Sequence, residues 1–91
     1  MGLVPQLDLH KQFSAAEFKQ QRRIATGKTT TVRHLGDAAF FERAVVAGRV
    51  FDDLWVRKAP VAFRVEVLKA LGAKPLRKLA AFVLTNLAHG A

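Results

Sequence analysis

The chain has no cysteine, only three prolines, and seven acidic residues against fifteen basic ones. Without cysteine there is no disulfide to staple the fold and no thiolate metal site, so an apolar core has to hold it. That absence suits a reducing compartment, and the cytoplasm is the expected location. Long apolar runs are missing too: the longest, Leu79–Leu84, falls far short of the roughly 20 residues that cross a bilayer. Met1–Leu9 lacks a basic segment ahead of an apolar one and carries Pro5 and Asp8, unlike a signal peptide. The chain reads as soluble, with no membrane partner. It contains no internal repeat and no low-complexity tract.

What is present is a core and a charge. An apolar share of 51% over 91 residues is that of a globular chain with one core. We divide it into an extended arm, residues 1–12, and a single compact domain, residues 13–91. The formal net charge of +8 is a large imbalance for this length. Self-repulsion at that charge makes a polyanionic partner the natural reading, nucleic acid first.

The most strongly patterned stretch is Pro60–His89. Prolines at first turns and glycines at ends punctuate it as two helices, Val61–Leu71 and Leu76–Ala88. Leu76, Leu79, Val83 and Leu87 recur at helical spacing, and Ala80, Phe82 and Leu84 widen the stripe until little is left for water. Upstream, Ser14 and Glu17 form a capping box with Phe13 and Phe18 placed as a hydrophobic staple. They start a helix that runs to about Thr26 and stops at Gly27. Four β-branched residues, Thr29–Val32, then predict a short extended segment over residues 29–35. Its partner would be the arm around Leu3–Leu9 or the same strand of a second copy, which makes a homodimer conceivable. Asp37 would cap a helix Ala38–Ala47 ending at Gly48, with Phe40, Phe41, Ala44 and Val45 inward.

Residues 49–67 read two ways. Val50, Phe51, Leu54 and Trp55 fit one helical face, with Asp53 four residues before Arg57. Val61, Phe63, Val65 and Val67 alternate with Ala62, Arg64 and Glu66, which also spells a strand. The expected fold class is mainly α, a compact bundle of four to five short helices with a β segment near residues 29–35. The alternative is α+β with a small antiparallel sheet.

The basic residues fall in two groups. Lys19, Arg22, Arg23, Lys28 and Arg33 occupy a stretch with no acid between Glu17 and Asp37. Lys19 and Arg23 repel one another unless an anion lies across them, and the threonines between the cations add hydroxyl donors for phosphate. The second group is Arg57, Lys58, Arg64, Lys69, Lys74, Arg77 and Lys78. Its last three sit at a helix start, where a bound anion would relieve the unfavourable dipole.

Other motifs exclude more than they suggest. Thr26–Thr29 shares its letters with the end of a P-loop, but Arg22 stands where that motif needs its first glycine. Helix-turn-helix spacing around Gly48 would turn Asp52 and Asp53 towards phosphates. His10, His34 and His89 have no partners at metal-ligand spacing, so no metal or cofactor is expected. Nothing groups a nucleophile, a base and an orienting residue, so no enzyme is expected. The leading expectation is a non-enzymatic regulator or accessory factor gripping the backbone of DNA or RNA through Lys19, Arg22, Arg23, Lys28, Arg33, Lys74, Arg77 and Lys78. The alternative is an interaction module or small inhibitor that docks on an acidic protein or ribonucleoprotein surface through Phe13, Phe51 or Trp55.

Overall fold

The computed structural model describes residues 6–10, 12–25 and 27–90. The first five residues of the expected arm and Thr26 of the P-loop-like run lie outside them. Seven elements follow in order: β1 (Gln6–His10), α1 (Ala15–Arg23), β2 (Lys28–Thr31), β3 (Ala38–Val46), β4 (Arg49–Lys58), β5 (Val61–Val67) and α2 (Ala73–Gly90). The strands form one antiparallel sheet in the order β1-β5-β4-β3-β2. The fold is therefore α+β, and the expected helical bundle is wrong. The three helices expected over 38–47, 49–59 and 61–71 are the three central strands.

The physical reason is that both faces of the sheet are covered. On one face Leu54, Val56, Phe63, Val65 and Val67 pack with Leu76 and Ala80 of α2. On the other, Phe40, Trp55 and Ala62 pack with Phe18 of α1, and Phe13 joins them. A strand buried on both sides loses its alternation of apolar and polar residues. Phe40, Phe41, Ala44 and Val45 are spaced by one and four, and a spacing of four returns to the same side of a strand as well as of a helix. The expected Asp53–Arg57 pair is absent: Arg57 donates to the Phe13 carbonyl at 2.9 Å. An ion pair instead joins the exposed Arg43 to the buried Asp52, which face each other across β3 and β4 at 2.8 and 2.9 Å.

The glycine and proline punctuation is real but marks turns. Ala47 and Gly48, at φ 51° and 77°, make a two-residue hairpin with both φ positive, the conformation that suits the twist of paired strands. Ala59 and Pro60, joined by a cis peptide bond, connect β4 to β5. Asp37 caps no helix. Its carboxylate accepts from Ala59 N–H at 2.8 Å and its own N–H donates to the Arg57 carbonyl at 2.7 Å, tying the β2–β3 loop to the β4–β5 turn.

The capping box at Ser14 and Glu17 is present in both directions, at 3.0 and 3.2 Å. The carboxy-terminal helix is also present, starting three residues earlier than Leu76, but it is not surrounded. It lies on the sheet along Leu76 and Ala80 and leaves Phe82 69% exposed. β1 and β2 occupy opposite edges of the sheet, so among the described residues the 29–35 segment does not pair with the amino-terminal arm. Among the described residues no helix is long and apolar enough to cross a membrane.

Candidate nucleic-acid interface

Arg22 lies in the last turn of α1, and the β2 threonines aim it. Thr29 and Thr31 alternate along the edge strand and so point to the same side. Arg22 donates Nε to Thr29 Oγ1 at 3.2 Å and Nη1 to Thr31 Oγ1 at 2.9 Å. Its guanidinium lies 5.5 Å from the centre of the Phe40 ring. These acceptors are neutral, so the guanidinium is fixed in place with its charge uncompensated.

Lys19, Arg22, Thr31, Arg33 and His34 line one cleft of about 480 Å³, with Phe18 and Phe40 at its apolar side. Among the described residues its one carboxylate, Asp37, faces Ala59 and Lys58, and the Ala59 N–H in particular holds it below the ordinary carboxylate range. From the far face of the sheet, Arg77 of α2 donates to the Arg33 carbonyl at 2.8 Å and the His34 carbonyl at 3.2 Å. The two basic groups of the sequence thus meet at the β2–β3 loop. Lys74 and Lys78 are exposed beside Arg77 in the first turns of α2.

Five of the eight expected phosphate ligands do not line the cleft: Lys74, Arg77 and Lys78 on α2, and two of the first group. Arg23 is exposed but does not line the cleft, and Lys28 shares the opposite side of the sheet with Arg43, its cross-strand partner. Three other members of the second group have partners of their own: Arg57 the Phe13 carbonyl, Arg64 Asp8 and Glu66, and the exposed Lys58 Asp37. Of the aromatic anchors, Trp55 is 5% exposed, stacked on His10, Phe13 and Phe40 at 5.8 to 6.2 Å. Phe13 is half-buried on that stack. Phe51 is half-buried at a second cleft.

This second cleft is what sequence reasoning missed. Glu42, Asp53 and Glu66 come from three adjacent strands and stand in one cross-strand row. Glu42 and Asp53 are 7% and 6% exposed. Glu42 Oε2 accepts from Gly27 N–H at 2.8 Å, while Asp53 Oδ1 has no hydrogen-bond partner. Burial, with the facing Glu66 and Glu42 carboxylates, raises Asp53 to about 8 despite Arg64. Once 61–67 is taken as a strand, the sequence puts Arg64 and Glu66 on one face. The register that brings Asp53 and Glu42 beside them is set by hairpin lengths that the helical reading hides.

Comparison with known proteins returns no match: no family model fits the chain, and no curated protein or solved structure is similar to it.

Proposed function

We propose that the protein binds nucleic acid through its phosphate backbone and is not an enzyme. A single observation carries this reading: Lys19, Arg22 and Arg33 converge on one cleft with Thr31 and His34, while the carboxylate that lines it, Asp37, is held by Ala59 N–H and Lys58. Asp8 is paired with Arg64, Asp37 with Lys58 and Asp52 with Arg43. Glu17 caps α1, and the other three form the acidic row. The cations around the cleft thus lack acidic partners, and phosphates held there would supply the missing charge. Arg77 stabilises the loop that presents Arg33. The cytoplasm, where the absence of cysteine carries no penalty, is the compartment we assign. The rival reading, docking on an acidic protein or ribonucleoprotein surface through an aromatic anchor, draws less support, because Trp55 is buried and Phe13 packs on it.

The test is fluorescence anisotropy of labelled duplex DNA, single-stranded DNA and RNA at two salt concentrations. Affinity should fall steeply with salt, and Arg22→Ala or Arg33→Ala should each weaken binding and lower the slope of log K against log salt by about 1. Absence of binding at low salt, or a slope that neither substitution changes, would overturn the proposal.

A further inference from the structure

The basic cleft has an apolar lining that phosphate binding does not use. Behind the exposed Lys19 and Arg33 its floor is Phe18, Leu35 and Phe40, none more than 6% exposed, with the half-buried Val32 and the exposed Ala38 beside them. Phosphate is strongly hydrated and gains nothing from such a surface. The walls are also fixed without a ligand. Val32 N–H donates to the Ala39 carbonyl at 3.1 Å, Asp37 is tied to Arg57 and Ala59, and Arg77 holds the Arg33 and His34 carbonyls. A preformed cleft of about 480 Å³ with cations outside and apolar groups within suits a flat, largely apolar group that carries phosphate, which a nucleotide is. A duplex keeps its bases stacked inside and shows phosphates and groove edges, whereas a single strand can turn a base outward.

Taking the phosphate-binding reading above as the basis, we propose that the ligand is a single strand, one unstacked base of which enters this cleft against Arg22, Val32 and Ala38 while its flanking phosphates reach Lys19 and Arg33. Arg22 is the platform. Thr29 and Thr31 hold its guanidinium, which lies over the Phe40 ring at 5.5 Å. A guanidinium held in place offers a plane on which a base stacks much as it does on an aromatic ring. The two threonines take two of its five N–H donors, and the rest are left for the strand. Lysine has the charge but not the plane. Ala38 precedes Phe40 by two residues in β3 and so shares its face of the sheet. A larger side chain there takes up the space of the base and leaves every cation in place. The same chemistry is offered by single-stranded DNA and by single-stranded RNA.

The test is fluorescence anisotropy with labelled oligothymidylate of about eight nucleotides, within the usual site size, beside the same strand made with abasic tetrahydrofuran residues, oligouridylate, and a duplex of equal length. The abasic strand keeps every phosphate and has no base. The intact strand should bind at least about fivefold more tightly than the abasic one, and more tightly than the duplex. Arg22→Lys and Ala38→Leu, each checked for folding by its amide NMR spectrum, should narrow the difference between intact and abasic strands to less than about twofold. Tighter binding of oligouridylate than of oligothymidylate would identify RNA as the source of the strand, and the reverse DNA. Equal affinity for intact and abasic strands, a duplex bound as tightly as the single strand, or a base preference that both folded variants retain would overturn the inserted base while phosphate binding stands. No binding of any strand at low salt would overturn both.

Discussion

At Asp52 the carboxylate is fully buried but receives two bonds from Arg43 and a third from Gly72 N–H at 2.7 Å. Burial pushes its pKa up, and those bonds more than offset it, leaving Asp52 below the ordinary value. One residue on, Asp53 faces the opposite side among other carboxylates and is pushed up to about 8. The signs of their contributions to stability are opposite. Asp52 is lowered on folding, so its contribution is present above the unfolded value of about 3.9 and is lost as pH falls through the folded one. Asp53 is raised, so the folded chain holds a proton that the unfolded chain has released. Stability therefore falls as pH rises from about 4 to about 8, by at most about 1.4 kcal/mol per pH unit. Urea melts across this range should show the decline in the native protein and a flatter profile in Asp53→Asn. An unchanged profile would contradict it. Asp52→Asn should cost about 1–3 kcal/mol at neutral pH, since it takes the charge from a buried carboxylate that accepts from Arg43 and loosens its bond to Gly72. Gly27 is as exacting for a steric reason: a Cβ there would overlap the backbone carbonyl of Arg43. Gly27→Ala should lower stability by about 2 kcal/mol or more, measured in the same melts.

α2 touches the sheet through one stripe and leaves the other to solvent. Leu76→Ala, at a fully buried position, should cost about 2–5 kcal/mol, and the exposed Phe82→Ala less than about 0.5. Comparable losses in thermal melts would mean that the outer stripe is covered in solution. The two helices and the extended segment after Gly27 were legible in the sequence because each has a local signal: a capping box, a continuous helical stripe, a β-branched run. The central strands were not, because their apolar residues serve two cores at once. Phe40 packs towards α1 and Leu54 towards α2, and with both faces filled only the alternation of Val61–Val67 kept the strand period visible. The candidate interface was legible as a charge run holding Lys19, Arg22 and Arg33. That Arg77 would reach the same loop from the other face depends on the stacking of layers, which no local spacing encodes.

Over the molecule as a whole, the acids are drawn into pairs, a cap and one cross-strand row, and the surplus of +8 is left outward. Salt should therefore act in opposite directions on stability and on the proposed binding: screening self-repulsion raises the melting temperature, while the nucleic-acid affinity proposed above would fall. A melting temperature that drops with added sodium chloride would show that surface ion pairs outweigh the repulsion. The sheet order has a further consequence. β2 to β5 are consecutive neighbours, each pairing with the strand just made, whereas β1 pairs only with β5, and Asp8 and Arg64 are 56 residues apart. On a ribosome adding about 5–20 residues per second, β1 leaves the tunnel and waits roughly 3–11 seconds for its partner. The meander can close without it, and β1 then docks after the other four strands, completing an edge that already stands.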